Sequence, residues 1–508
     1  MRNPEADTDV LIVGAGPVGL FLANECARRG LRFRIVETRA SQSEHSKALA
    51  IFPRTLEIFD MAGVVAPFVE AANRVTAVEV LRHGRPLAHV RFAPEESPYP
   101  FIAMVPQDVT ERLLLAELRR SGGDVEYQTT FRSADQHGGG VRAMLERNGE
   151  TIGITASFVI GCDGAHSTVR HLLNLPFEGA AYDALFILAD VETDDRVPAD
   201  VLQLCPSEFG PLAIFPMSAT RRRIVATVNE QEGDAPALDL VRRILAQRAP
   251  HTIEARALHW SSYFHIHHRH VARLRSGRFF IAGDAAHIHS PFGGQGMNTG
   301  LQDVWNLAWK LDLFLHGHGS EALLDSYGAE RLPVIRQVIA MTHTLTRVMG
   351  TPSRIAQALR DTMIPRVSRL PPFQHAFVER LSELGIAYPG SPIVEGAGKR
   401  YFDDSLRGGD GVRSRFLLFV GEGEPDSTKE AALRLGDTYR EVLEVRASRD
   451  AGLTFVRPDG YVALARHGRA EPGALAAVRS LLERQINPSG ASDPTTGSAL
   501  GAPGRQPS

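Results

Sequence analysis

The stretch GRFFIAGDAAHIHSPFGGQGMNTGLQDVWNLAWKL, from Gly277 to Leu311, decides the fold because it joins a buried strand, an acidic turn and a glycine loop to a helix. Its apolar start, Phe279 to Ile281, predicts a short strand. The strand ends at Gly283 and Asp284, where a carboxylate can accept hydrogen bonds from a sugar hydroxyl. The loop that follows suits close contact between backbone and a flat ligand, because three glycines remove its side chains: Gly293, Gly294 and Gly296.

The glycine loop leads into a predicted helix that stops at Gly317. Apolar residues recur there at helical spacing, at Leu301, Val304, Trp305, Ala308, Leu311 and Leu315. The helix starts near Gly296, Met297 and Asn298, so its free N–H groups and positive dipole end face the loop and favour an anionic group. A turn of small residues before an ordinary amphipathic helix has the same pattern. The ligand hypothesis therefore depends on companion motifs.

Composition excludes several classes of protein. The chain has 508 residues, 43% hydrophobic and 23% charged, which is typical of a soluble globular protein with more than one domain. A net charge of -3 argues against a nucleic-acid partner. The three cysteines are far apart and form no CxxC, so we expect a reducing compartment. Glycines interrupt the first apolar run, Val10 to Ala27, and we predict a cytoplasmic protein with no membrane partner.

A nucleotide-binding turn stands near the N-terminus. Asp9 to Val13 predicts a buried strand, GAGPVG follows from Gly14 to Gly19, and a helix continues to Arg29. Glycines at these spacings allow a tight turn, contact of a pyrophosphate with backbone N–H groups, and close packing of helix on strand. A second strand, Arg32 to Val36, ends in Glu37, which is placed to accept hydrogen bonds from an adenosine ribose. An acidic residue there favours FAD or NAD over NADP as the bound nucleotide.

A second strand-turn-helix pattern, GCDGAHSTVR from Gly161 to Arg170, predicts another wall of the same nucleotide site around Asp163. The stretch from Ala184 to Arg269 then alternates strand-like runs with Gly and Pro and predicts an antiparallel sheet. Such a sheet can form an apolar substrate pocket, and its candidate lining residues are Phe186, Leu202, Leu204, Ala213, Phe215 and Met217.

Four histidines near the end of this sheet invite a metal hypothesis. His265 and His267 share one face of a strand, whereas His268 and His270 share the other, so the four cannot converge without a bend. We therefore predict no metal site. After a linker rich in Gly, Pro and Asp, strands and helices up to Gln485 predict a small α/β unit, and the tail from Ile486 is predicted to be disordered.

The three motifs, GAGPVG with Glu37, GCDGAHSTVR and GRFFIAGDAAHIHSPFGGQGMN, occur in an order and spacing that resembles the single-component FAD-dependent aromatic hydroxylases, the para-hydroxybenzoate hydroxylase family. The resemblance is greatest to its phenol and polyketide hydroxylase branch. It implies an α/β fold in which a Rossmann-like FAD-binding domain (1–180 and 273–390) carries an inserted antiparallel substrate-binding sheet (181–272). A thioredoxin-like C-terminal domain (391–485) and the tail (486–508) would follow, and without CxxC that domain would have no redox role.

The resemblance also implies roles for matching residues. The ADP half of FAD would lie against Gly14, Ala15, Gly16, Pro17, Val18, Gly19 and Glu37. Asp163 would serve FAD and the transient pyridine nucleotide, and Gln107 would contact the flavin region. Gly283 and Asp284 would bind the ribityl or diphosphate part, and the flavin ring would meet Gly294, Gly296, Met297 and Asn298. Lys47 stands where the family often has arginine, so it supplies charge without a bidentate fork.

The implied reaction is hydroxylation of a phenolic or polycyclic aromatic substrate. NADPH or NADH would reduce FAD, dioxygen would form the C4a-hydroperoxide, and one oxygen atom would pass to the ring. Pro291 would face the substrate through its carbonyl, and His287 is a candidate base, with Tyr263 and His265 as alternatives. An epoxidase or Baeyer–Villiger-type oxygenase on the same fold remains the alternative, and a monomer or homodimer is expected.

Overall fold

The computed structural model describes residues 5–43, 47–94, 96–193, 198–250, 253–290, 293–351, 353–409, 414–468, 471 and 473–486. The predicted substrate contact Pro291 and all of the predicted tail except Ile486 lie outside these residues. No helix in the described part of the chain is long and apolar enough to cross a membrane. The described residues also hold no group of three or more His, Cys, Asp and Glu side chains that could bind a metal ion.

The first third of the chain alternates strands and helices. In order these are β1 (Thr8–Val13), α1 (Pro17–Arg28), β2 (Phe33–Val36), β3 (Ala50–Ile51), α2 (Pro53–Met61), α3 (Val65–Ala71), β4 (Asn73–Val75), β5 (Ala77–Arg82), β6 (Arg85–Arg91), β7 (Ile102–Met104), α4 (Gln107–Arg120), β8 (Thr129–His137), β9 (Gly140–Arg147), β10 (Glu150–Gly161) and α5 (Thr168–Leu172). Strands β1 and β2 are short and apolar, as the sequence predicts for a buried parallel sheet.

The middle of the chain forms strands with one helix. They are β11 (Glu178–Thr193), β12 (Val201–Cys205), β13 (Leu212–Pro216), β14 (Arg221–Val228), α6 (Leu238–Arg248) and β15 (Ala255–His270). The chain then returns through β16 (Arg275–Ser276), β17 (Phe279–Ile281), β18 (His287–Ile288), α7 (Gly296–Leu315), α8 (Glu321–Met349), α9 (Arg354–Val367) and α10 (Pro371–Ser382). The predicted helix after the glycine loop is α7, and its length matches the apolar repeat.

The last described part forms β19 (Phe416–Gly421), α11 (Asp426–Thr438), β20 (Leu443–Ser448), β21 (Gly452–Val456), β22 (Val462–His467) and α12 (Ala474–Glu483). Its four strands form a mixed sheet in the order β20-β19-β21-β22. The ring of Trp309 in α7 packs edge-on against Phe416 of β19, with ring centroids 5.6 Å apart. The C-terminal unit therefore shares a core with the helices that follow the glycine loop.

Two large sheets position the site. The first has the order β16-β17-β10-β1-β2 and is parallel from β17 to β2, with β9 and β8 added alongside β10. The second has the order β18-β15-β11-β14-β13-β12-β5-β6 and is antiparallel except between β12 and β5. Strands β5 and β6 lie in the range 1–180 expected for the FAD-binding domain, but they join the second sheet and so extend it beyond the expected range 181–272. The domain boundaries themselves remain a prediction.

Candidate active site

The four parallel strands of the first sheet end in one row. Val13 of β1 pairs with Val36 of β2 on one side and with Gly161 of β10 on the other, and Gly161 pairs with Ile281 of β17. The residues that follow these strands include Gly14, Glu37, Asp163 and Asp284, so parallel pairing brings all three sequence motifs to one edge. Ligands of open parallel sheets bind at this carboxyl edge.

The glycine turn after β1 is shaped for a phosphate group. Gly14 has a φ of 99°, and a Cβ there would lie 2.5 Å from the carbonyl oxygen of Cys162. A Cβ on Gly19 would lie 2.0 Å from the oxygen of Gly14, which explains why α1 packs so closely on the turn. A Cβ on Gly16 would meet nothing within 4 Å, because this glycine faces an open cleft. Backbone N–H groups are therefore accessible where a pyrophosphate would lie.

The cleft beside this turn has a volume of about 340 Å³ and is lined by residues of the first two motifs, among them Gly14, Glu37 and Asp163. Glu37 accepts a 2.9 Å hydrogen bond from the Ala15 N–H and a 3.1 Å bond from the Arg39 Nε. Burial opposes ionisation of Glu37, but the hydrogen bonds from Arg39 and Ala15 lower its pKa overall. The carboxylate therefore stays charged, as acceptance from ribose hydroxyls requires. Sequence reasoning missed Arg39, whose position two residues after Glu37 was the available signal.

Asp163 supports the opposite wall of the cleft. One of its oxygens accepts from the Ser167 hydroxyl at 2.6 Å, and the other accepts from the Val169 N–H at 3.1 Å. Burial raises the pKa of Asp163 despite these bonds. Arg170 donates to the carbonyl oxygens of Ala165 and Ala285, and this contact ties the second motif to the third.

Asp284 follows β17 and has an accessible carboxylate although it lies deep in the protein. Burial raises the pKa of Asp284, whereas the charges of His287 and Lys47 lower it. Both side chains therefore lie near the Asp284 carboxylate. Lys47 is thus brought to the third motif, and its contact with the cofactor stays a prediction. An accessible acceptor inside a cleft is suited to a ribityl or ribose hydroxyl.

A buried aspartate behind Asp284 joins several distant segments. Asp303 of α7 accepts a 2.7 Å bond from His287 Nε2, a 2.8 Å bond from Arg331 Nε and a 3.2 Å bond from the Gly283 N–H. Burial opposes the charge of Asp303, yet Arg331 and His287 lower its pKa overall. Sequence reasoning missed Asp303 and Arg331. An acidic residue among the apolar residues of α7 was the only signal for Asp303, because its partners are 16 to 28 positions away.

The start of α7 lies against the loop that holds β3. Asn298 accepts a 3.0 Å bond from the Phe52 N–H and donates a 2.9 Å bond to the Ala50 carbonyl. Gly294 has a φ of 65°, and its missing side chain leaves space beside Ala50. Gln107 accepts a 3.1 Å bond from the Ala48 N–H and so braces the same loop. The structure thus brings together the predicted flavin contacts Gln107, Gly294, Gly296, Met297 and Asn298.

An apolar wall formed by the second sheet meets this loop. Ala50 and Phe52 belong to one buried cluster with five of the six candidate pocket residues, and the sixth, Met217, packs against it; the five are Phe186, Leu202, Leu204, Ala213 and Phe215. Arg223 of β14 is buried, donates to both oxygens of Asp190 at 2.7 and 2.8 Å, and donates to the Lys47 carbonyl oxygen. The arginine ties the substrate sheet to the loop that carries Lys47.

Comparison with known proteins decides the identity of this site. A family model described as an FAD binding domain matches residues 7–342, which is more than half of the chain. The chain belongs to this family. The glycine turn, the charged Glu37 and the accessible Asp284 fit FAD, and the protein binds this cofactor and is a flavin-dependent monooxygenase.

Relatives of the monooxygenase support the same conclusion. The 6-methylpretetramide 4-monooxygenase of Streptomyces rimosus is 35% identical over 91% of each chain. An uncharacterized aromatic compound monooxygenase of Bacillus subtilis is 32% identical, with 90% of this chain and 94% of the relative covered. The solved anhydrotetracycline hydroxylase of Streptomyces rimosus is 26% identical with a TM-score of 0.76, and the match covers 96% of this chain and 99% of the other. The predicted fold class and enzyme class are confirmed.

Proposed function

We propose that this monooxygenase hydroxylates a polycyclic aromatic phenol, with NADPH or NADH as reductant and dioxygen as the source of the oxygen atom. The observation that carries the proposal is the contact between the apolar wall and the cofactor loop, through Ala50, Phe52 and Gly294. A flat apolar substrate on this wall would lie directly beside the site for the flavin ring. The 35% identity to a 6-methylpretetramide 4-monooxygenase supports a substrate with several fused rings.

Each polar group of the site has a part in this proposal. Bound FAD supplies the redox and oxygen chemistry. Glu37 would hold the adenosine ribose, Asp284 the ribityl or diphosphate part, and Asn298 would fix the start of α7 beneath the flavin ring. The positive end of α7 would stabilise negative charge on that ring, and the apolar wall would exclude water from it.

His287 has a supporting role in this proposal. Its ring is buried and its Nε2 is engaged by Asp303, so it is poorly placed to take a proton from a substrate. We assign it to positioning Asp284 and the loop after β17. The substrate contact through the Pro291 carbonyl stays a prediction from the family resemblance.

The compartment and assembly state belong to the same proposal. All three cysteines are buried free thiols, which suits the reducing conditions of the cytoplasm. We infer a cytoplasmic monomer or homodimer that acts on a small molecule and not on a nucleic acid, in line with the net charge of -3.

The deciding experiment compares substrates of different size with the purified FAD-bound protein. NADPH and NADH oxidation would be followed with monocyclic phenols and with the tetracyclic compounds anhydrotetracycline and aklavinone, and products would be examined by mass spectrometry and NMR. We expect tetracyclic phenols to stimulate oxidation and to gain one oxygen atom on an aromatic carbon. Coupled hydroxylation of monocyclic phenols alone would contradict the proposed substrate class. An epoxide or a ring-expanded ester would show that the alternative reaction class is correct.

A wall variant tests whether substrate size is set where we propose. Met217 is the one candidate wall residue that is only partly buried, so Met217→Trp adds bulk at the wall surface, and we expect weaker stimulation by tetracyclic phenols with normal flavin content. Leu433→Ala on the distant C-terminal unit is the control and should leave both unchanged. Equal activity of Met217→Trp on all substrates would place the substrate elsewhere.

A further inference from the structure

Apolar residues are exposed in an unusual concentration on α9 and its neighbours. Six of the eight exposed large hydrophobic residues among the described part of the chain lie between 348 and 373, namely Val348, Ile355, Leu359, Met363, Leu370 and Phe373. Three of them, at 355, 359 and 363, recur every four positions and form one stripe along α9. Their side chains are 84%, 62% and 47% exposed. We call this set of six residues the α9 patch.

The helix α9 buries polar residues and exposes apolar ones, which is the reverse of the usual orientation. Its buried face carries the polar residues Gln357 and Arg360, while its apolar stripe faces outward. Gln357 receives a bond from Arg82 of β5, and Arg360 donates to the carbonyl oxygens of Val348 and Met349 at 3.3 Å. A surface helix of a globular protein ordinarily buries its apolar stripe. This orientation is fixed by specific hydrogen bonds, so the outward stripe needs a partner that is apolar.

The patch extends onto the neighbouring loop. Phe209, the seventh exposed large hydrophobic residue, follows Glu208, which lies 3.9 Å from the Arg82 guanidinium. Arg82 also forms an ion pair with Asp361 of α9, so the loop and the helix share one cation. A Cβ on Gly350 would lie 3.2 Å from Pro211 in the same loop. The exposed apolar residue Phe209 thus lies beside α9, on the loop that joins β12 and β13.

Charge around the patch selects the kind of partner. Residues 347–378 contain one aspartate, Asp361, and five arginines: Arg347, Arg354, Arg360, Arg366 and Arg369. The whole chain has a net charge of -3, so this segment is basic against an acidic background. Arg347, Arg366 and Arg369 are exposed. Pairing of α9 with a second copy about a two-fold axis would bring these basic flanks together, and like charges oppose that contact.

We propose that the α9 patch docks on the surface of a membrane that contains anionic lipid. Apolar side chains flanked by arginines are the pattern by which helices lie in the lipid interface, and basic residues near anionic headgroups add to the affinity. This proposal reverses the expectation of no membrane partner. It concerns peripheral contact, and the docking itself does not depend on which substrate the enzyme takes. No covalent step is involved.

The α9 patch is connected to the apolar wall of the second sheet, which suggests a function for membrane docking. Phe373 on the outer side of α10 stacks on Phe377, with ring centroids 6.3 Å apart. Phe377 packs in turn against the apolar wall of the second sheet. An apolar substrate dissolved in the bilayer would thus reach the wall along continuous apolar surface, without crossing water.

The test is sedimentation of the FAD-bound full chain with lipid vesicles. Vesicles of phosphatidylcholine with phosphatidylglycerol would be compared with vesicles of phosphatidylcholine alone. We expect binding to the anionic vesicles only, weakened by added salt. The variant I355S/L359S/M363S should lower the partition coefficient by roughly tenfold or more, as should Arg366→Glu with Arg369→Glu. Leu433→Ser removes an equally exposed leucine, 57% accessible, on α11 and should change nothing.

Fold and oligomeric state are measured on the same samples. Flavin absorbance and NADPH oxidation with a soluble substrate should be equal in all variants, since none of the changed residues lies at the cofactor or the wall. Light scattering reports the mass. Failure of the unmodified protein to bind anionic vesicles would overturn the proposal. A dimer that the serine variant dissociates, without vesicle binding, would assign the patch to a second copy. If a variant lost activity but bound vesicles as expected, the result would count against the proposed function and not against membrane docking.

Discussion

The two ends of the proposed FAD cradle are built in different ways. At the adenosine end, Gly14, Ala15, Glu37 and Arg39 lie within 26 residues and contact one another across a single turn and strand pair. At the flavin end, Asp303 connects Gly283, His287 and Arg331 from three separate elements, inside the protein. The adenosine end thus depends on backbone shape and exposed charge, whereas the flavin end depends on buried charges that need one another. Mutations should therefore have very different costs at the two ends.

The largest effect is expected for Asp303→Ala. The substitution leaves Arg331 and His287 buried without their acceptor, and removal of one partner of a buried pair costs about 3–5 kcal/mol. We expect a loss of that size in the free energy of unfolding, measured by denaturant titration of the FAD-bound protein. Asp303→Asn keeps the shape and part of the hydrogen bonding and should cost less. If Asp303→Ala lowers the free energy of unfolding by less than about 1 kcal/mol, the two ends do not differ in the way we propose.

Next in size is Asp284→Ala, which should yield mostly apoprotein. A hydrogen bond to a charged acceptor contributes about 1.5–3 kcal/mol, so FAD affinity should fall by roughly 10- to 100-fold. Flavin absorbance after gel filtration and titration with added FAD measure this. Asp426→Ala, at the first turn of α11 in the C-terminal unit and so away from the cradle, is the matched control. Normal flavin content in Asp284→Ala would remove this carboxylate from the cofactor site.

The contrast between the two ends explains which parts of the site could be predicted from the sequence. The glycine turn, Glu37 and the helix from Gly296 depend on residues close in sequence, and each motif was placed correctly at the sheet edge. Asp303 and Arg331 meet only after α7 and α8 pack together, and spacing within one helix does not predict that contact. The pairing of β5 with β12 could not be predicted for the same reason, since β12 lies more than 120 residues later in the chain.

Local pattern does not predict which side of α9 is buried. The helices α9 and α10 follow α8 in the chain. The pattern alone would place Ile355, Leu359 and Met363 in the core. Hydrogen bonds from Arg82 and Arg360 hold the polar side inward instead, and they come from tertiary contacts that no local pattern encodes.

A smaller effect is expected at Glu383, which lies beside the flavin-end network. Burial raises the pKa of Glu383 to about 8, and Gln302 donates to one of its oxygens at 2.5 Å. The folded protein therefore holds the proton while the unfolded chain loses it above a pKa near 4.5. Stability from this group is complete at low pH and is lost as pH rises from about 4.5 to 8. Glu383→Gln should remove this dependence.

Urea titrations at pH 5 and pH 8 measure the effect. We expect Glu383→Gln to match the unmodified protein at pH 5 and to exceed it at pH 8 by on the order of 2 kcal/mol. Glu379→Gln, on the exposed side of α10, should show no such difference. A gain that is the same at both pH values would mean that Glu383 is ionised in the folded protein.

The smallest effect belongs to the adenosine end, at Arg39→Ala. Arg39 is 41% exposed, and an ion pair on the surface contributes about 0–1 kcal/mol, so folding should hardly change. Glu37 would keep its bond from the Ala15 N–H but lose the arginine that helps to lower its pKa, so FAD affinity should fall by less than about fivefold, most at low pH. Titration with FAD at pH 5 and pH 8 checks this. Arg39→Lys should restore the charge but not the paired bonds. If Arg39→Ala lowers FAD affinity as much as Asp284→Ala does, the adenosine end also depends on a charge that no neighbouring group can replace. The two ends would then not differ in the way we propose.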